Sequence, residues 1–120
     1  MDEQTILAEL VPAVNSLKTL ALVALDMEDA HPLALPEPPE SDQVAAYERH
    51  MTAIAQQVNP PQRAMLNASL QDYRGGFPDR AGKYLQDLVK SLLEAPEYAS
   101  AFSPASQQRL KRFLVDLQEV

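Results

Sequence analysis

The chain has 120 residues, with 17 acidic against 10 basic side chains and a net charge of −7 at neutral pH. Its hydrophobic share of 46% is enough for a folded core and excludes wholesale disorder. The lack of Cys excludes disulfides, thiolate metal sites and a cysteine nucleophile. Ala and Leu supply 17 residues each, against 10 for Val and Ile together and 3 for Thr, a bias that favours helix over strand.

Residues 2–29 read as the first helix. Leu7, Leu10, Val14, Leu17, Ala21 and Ala24 step by 3 and 4, the seam of a packed helix. Asp2 suits the N-cap and Glu3 the positive end of the helix dipole. Pro12 removes one N–H and crowds the carbonyl of Ala8, so a kink or a split is expected there. A straight helix of this length would span about 42 Å, close to the full diameter of a compact domain this size. Either it bends at Pro12 or one end projects towards a partner. Leu20, Leu22 and Val23 lie off the seam, which makes the helix apolar on more than one face around residues 20–25. Burial on all sides is the expectation, as a central helix or as a subunit interface, and a homodimer through this helix is one outcome.

Residues 30–41 hold four prolines, which forbid regular helix and favour an extended, polyproline-like surface connector. Leu33 and Leu35 are expected to pin it to the core. Ser41 is then expected to cap a second helix over 42–58, with Val44, Tyr47, Met51, Ile54 and Val58 inward. Asn59-Pro60-Pro61-Gln62 is a restart signal: Asn59 caps, Pro60 takes the first helical position, and Gln62 falls at the capping-box position. The third helix runs to Arg74, with Met65 or Leu66, Leu70 and Tyr73 inward, and Gly75-Gly76 ends it.

Asp79 is expected to open a fourth helix to about Ala95, with a stripe of Ala81, Leu85, Leu88 and Leu92 flanked by Tyr84, Val89 and Leu93. Pro96 stops it, and residues 97–102 fit a short helical turn. Ser103-Pro104 starts the last helix, to about Gln118, with Leu110, Phe113, Leu114 and Leu117 inward. The expected fold is all-α: one domain over 1–120, a compact bundle of about five helices, the first long and kinked or split at Pro12.

Catalytic constellations are hard to find. Glu28 and His31 make one Glu-x-x-His pair, but di-iron bundles need two such pairs, and His31 precedes Pro32. His50 has Glu48 and Arg49 beside it and completes no second pair. The Ser residues sit at helix starts or on polar helix faces, away from any strand–turn–helix elbow. No catalytic residue, cofactor or metal is expected. The acidic N-terminus, Met1-Asp2-Glu3-Gln4, lacks the positive region of a secretory leader, and the longest apolar run, residues 20–25, is far short of a membrane span. A cytoplasmic protein with no membrane partner is expected.

Two basic regions are candidate contacts. Arg74-Gly75-Gly76-Phe77-Pro78-Asp79-Arg80-Ala81-Gly82-Lys83 combines bases, glycines and an aromatic before a helix N-terminus, where amides favour anions. It lacks Walker spacing, and a Gly-Gly C-cap followed by an N-cap explains most of it. The last helix carries Arg109, Lys111 and Arg112, which suit phosphate contacts or a solvated face with Arg112 and Asp116 paired. Arg74, Phe77, Arg80, Lys83, Arg109, Lys111 and Arg112 are therefore the candidate partner or anion contacts. Charge is uneven: residues 1–60 carry ten acids and two bases, residues 61–120 seven acids and eight bases. The expected function is non-enzymatic protein–protein interaction, as in an adaptor, inhibitor, immunity protein or chaperone. The alternative is a nucleic-acid-associated helical protein, a ribonucleoprotein subunit or a repressor, using the basic loop and last helix.

Overall fold

The computed structural model describes residues 1–30 and 37–120, and the side chains of 1–25 and 37–120. Among these residues there are six helices and no strand: α1 (Glu3–Ala30), α2 (Ser41–Ala55), α3 (Pro60–Arg74), α4 (Pro78–Glu94), α5 (Pro96–Ala99) and α6 (Pro104–Gln118). The fold is an all-α bundle with a long first helix.

The first helix is not split at Pro12: α1 runs unbroken through it. Ala8 is exposed and Pro12 half-buried, so the proline sits towards the solvent side of the helix rather than in the core. Ile6, Leu7 and Leu10 before the proline, and Ala13, Val14 and Leu17 after it, are buried and pin both halves. At the start of α1, Asp2 accepts from the Gln4 N–H at 3.0 Å and from the Thr5 hydroxyl at 2.7 Å. The Thr5 bond, more than any other contact, holds the Asp2 carboxyl below its ordinary value.

The hub of the bundle is α4. It packs against α1, α3, α5 and α6, and Ala81, Leu85, Leu88, Val89 and Leu92 are all fully buried. This corrects the expectation that α1 is wrapped by the other helices. The main neighbours of α1 are α2, α4 and α6, and Leu22, Val23 and Leu25 stand exposed. Over Glu3–Leu25 α1 is long and apolar enough to cross a membrane by length and composition alone. Its seam nevertheless packs into the bundle from Ile6 to Leu20, as that of a core helix does.

Several helix boundaries move by a residue or more, each for a local reason. Glu40, not Ser41, takes the N-cap of α2, in an extended conformation with its N–H donated to the Gln43 side chain at 3.0 Å. The helix ends at Ala55, and the Arg63 guanidinium donates to the carbonyls of Ala55 and Val58, both at 3.1 Å, closing the corner. Asn59 caps α3 through its backbone carbonyl only, and Gln62 does not complete a capping box. Its side chain is buried and accepts from the Tyr98 hydroxyl at 3.0 Å, while that hydroxyl accepts from the Asn59 N–H at 2.9 Å. The short α5 is thus tied to the start of α3.

The end of α3 is a Schellman turn. Phe77 N–H reaches the Asp72 carbonyl at 2.9 Å and Gly76 N–H the Tyr73 carbonyl at 3.1 Å. Gly76 sits at φ 81°, which only glycine adopts at little cost. Phe77, not Asp79, then occupies the cap position of α4, because Pro78 is already its first residue; Asp79 lies in the first turn. Ser103 caps α6, its hydroxyl accepting from the Ser106 N–H at 3.2 Å. Of the predicted connector, residues 37–40 carry no regular structure, while Leu33 and Leu35 lie outside the described residues.

Candidate interaction surface

The basic loop is largely occupied by its own neighbours. Arg74 pairs with Glu48 at 3.2 Å and Lys83 with Asp87 at 3.3 Å. The Arg80 guanidinium lies 4.3 Å from the centroid of the half-buried Phe77 ring. Arg112 approaches Asp116 at 3.8 Å, and Lys18 of α1 approaches the same carboxylate at 3.6 Å, so the pair expected within α6 also ties α6 to α1. Arg109 and Lys111 are exposed. Gln86 in the middle of α4 donates to the Leu117 carbonyl at 3.1 Å, and Gly82 in the first half of α4 faces Val120, so the start of α4 meets the C-terminal end of α6. Arg109 stands eight residues before Leu117, about 12 Å along the axis.

Among the described residues no three His, Asp or Glu side chains come together as a metal site. Glu28 and His31 lie outside the described side chains. His50 is used in packing: its Nδ1 lies 2.6 Å from Glu9 Oε2, joining α2 to α1. The buried hydroxyls form a structural lock. Ser69 donates to the Ala81 carbonyl at 2.8 Å, so the Tyr47 hydroxyl must donate to Ser69, 2.6 Å away. Tyr47 stacks on Tyr73 with centroids 4.1 Å apart. Burial pushes both phenols above their ordinary value, with Asp42 adding to the rise at Tyr73.

Among the described residues, the far end of α1 is an apolar surface beyond the ends of two of its neighbours, and the packing register explains it. Asp2 N–H donates to Gln57, and Glu9 pairs with His50, so α1 and α2 run antiparallel with paired numbers summing to 59. Ser41, the first residue of α2, therefore lies opposite residue 18. Against α6 the order is parallel: Glu3 accepts from the Ser103 N–H and Lys18 meets Asp116. The last residue of α6, Gln118, then lies opposite about residue 20. Both α2 and α6 stop there, and α1 continues to Ala30. The overhang of about nine residues is roughly 13 Å long, and the molecule measures 47 Å in its longest direction against 23 and 20 Å in the others.

Exposure along one face shows where the bundle ends. Leu25 follows Leu7 by 18 residues, five full turns, and points the same way. Leu7 is 0% exposed and Leu25 is 55%. Leu22 is 66% and Val23 46% exposed. Beside the overhang, between α1 and residues 37–40, lies a groove of about 480 Å³. Leu20, Val23, Pro38 and Pro39 supply apolar lining, the buried Tyr73 its floor, and Glu37 and Glu40 stand at its rim.

The sequence reading placed the site on basic residues and located an unusual apolar excess at residues 20–25 without fixing its fate. The signal for the overhang was present in the length of α1 and in the early position of the proline-rich stretch. Comparison of the chain with protein-family models, with curated proteins and with solved structures finds no match to any of them.

Proposed function

We propose that the protein is a non-enzymatic cytoplasmic binding module that docks a protein partner on the overhanging end of α1. One observation carries this reading: Leu22, Val23 and Leu25 are presented on a helix that outruns its own bundle by about two turns. Exposed aliphatic side chains on a rigid helix offer a partner apolar area at little ordering cost. The acidic stretch around them speeds encounter with a basic partner surface. The nucleic-acid reading would have to break the pairs that hold Arg74, Lys83 and Arg112, and would work against a net charge of −7.

The test is co-purification from native lysate with the wild-type chain and with Leu22→Asp/Leu25→Asp. Both sites are exposed, so the variant should fold as the wild type does, as circular dichroism will show. A stoichiometric protein recovered by the wild type and lost by the variant supports the reading. Equal recovery by both, or none by either, refutes it.

A further inference from the structure

We infer that the partner surface seated on the overhang is a cationic amphipathic helix. Its apolar face would pack on Leu22 and Leu25, and a Lys or Arg would reach round the helix to the adjoining groove at Val23. The inference rests on the binding role proposed above and adds the chemistry of the partner.

The groove adjoins the overhang at Val23, which lines the groove and stands about 100° round the helix from Leu22. Apolar walls from Leu20, Val23, Pro38 and Pro39 suit the methylene stem of a long side chain. The rim suits its charged head: Glu37 and Glu40 are exposed and, among the described residues, make no ion pair. The sequence around them is uniform in sign. From residue 19 to residue 48 there is no Lys or Arg, and there are seven carboxylates. A partner that covers the apolar patch must bring its rim against this field, and a basic rim is the one that is attracted.

The same field decides between occupants. A second copy in a two-fold dimer would lay this surface on itself and set carboxylates against carboxylates. An anionic membrane surface is repelled for the same reason. A helix is favoured over an extended strand because Leu22 and Leu25, three residues apart on one face, match the ridge spacing of helix-on-helix packing.

The experiment uses the full chain and a fluorescent synthetic peptide of about five helical turns. The peptide carries Leu on one face and Lys on the other, and a matched peptide carries Glu for every Lys. Anisotropy should show binding of the Lys peptide, weakened by added salt, and none of the Glu peptide. Leu22→Asp/Leu25→Asp should weaken it about tenfold or more. Those substitutions add negative charge, so adventitious attraction of a polycation would grow where specific docking falls. Glu37→Lys should weaken binding severalfold, and Glu97→Lys, the same charge change at the opposite end of the bundle, should leave it unaltered. Equal binding of the Glu peptide, or undiminished binding by the Leu variant, overturns the inference. So does a concentration-dependent dimer lost in that variant, or flotation of the wild-type chain with anionic vesicles. If the lysate partner is lost with the Leu variant while the Lys peptide shows no preference, the binding role stands and the cationic partner does not.

Discussion

Leu7 and Leu25 provide a matched pair for testing the overhang. They occupy the same face of α1, five turns apart, with the same side chain and nearly the same helix propensity change on substitution by Ala. Only their surroundings differ: 0% against 55% exposure. Truncating the buried Leu7 removes transfer energy and leaves a cavity, a cost of about 3 kcal/mol. Truncating Leu25 should cost no more than about 0.5 kcal/mol, as at other exposed sites. Unfolding a chain of 120 residues carries an entropy of roughly 0.25 kcal/mol/K. Leu7→Ala should therefore lower Tm by about 12 °C and Leu25→Ala by about 2 °C or less. Thermal unfolding followed by far-UV circular dichroism measures both. A Leu25→Ala shift approaching that of Leu7→Ala would refute the claim that α1 outruns the bundle. A Leu25 effect that grows with protein concentration would place a second copy over this end.

Other substitutions probe the joints that set the register. Ser69→Ala strands the buried Tyr47 hydroxyl and should cost about 1 to 3 kcal/mol in urea unfolding, more than Tyr47→Phe, which removes the stranded group itself; equal costs would refute the donor order assigned here. Gly76→Ala forces a Cβ at φ 81° and should destabilise by about 1 to 2 kcal/mol. Gly82→Ala should do the reverse by about 0.5 to 1 kcal/mol, because its nearest contact, a Val120 methyl at 3.4 Å, is ordinary packing within a helix interior; destabilisation at Gly82 would show that Val120 cannot yield. The raised phenol of Tyr47 sets an alkaline limit: the unfolded chain releases that proton near pH 10.0 while the folded chain keeps it. Stability should be fully present below that pH and fall as pH rises above it, and Tyr47→Phe should flatten the fall.

Much of the fold is legible in spacing. The stripe Ala81, Leu85, Leu88, Leu92 is buried as its period implies, and Leu110, Phe113 and Leu117 likewise. Proline and glycine placed the joints: Pro60, Pro78, Pro96 and Pro104 each stand at a first helical position. The cap shifts at Ser41 and Asp79 are local, but two other departures come from residues distant in sequence or from packing. Gln62 has the spacing of a capping box, yet Tyr98, 36 residues away, takes it. Pro12 has the local effect of a breaker, yet buried side chains on either side carry the helix across. Local sequence states a preference, and tertiary contacts of several kcal/mol override it.

The interaction surface was harder to read for a different reason. Periodicity reports which way a side chain points around a helix and says nothing about where along the axis its neighbours stop. Leu22, Val23 and Leu25 have the same residue types as the buried Leu17 and Leu20, so composition alone implied burial on all sides. The exposure of Leu25 follows from register: α2 begins opposite residue 18 and α6 ends opposite about residue 20, each fixed by polar contacts made at the other end of the bundle and along it, whereas Leu22 continues the solvent-facing row of Val11 and Asn15. The charge of −7 shares this logic. As a net figure it describes solubility, but residues 19–48 hold seven carboxylates and no Lys or Arg, and the exposed Leu22, Val23 and Leu25 fall within that stretch. Exposed apolar side chains and carboxylates thus share one stretch of chain without a Lys or Arg, bounded by Lys18 and Arg49, and a partner must satisfy both at once.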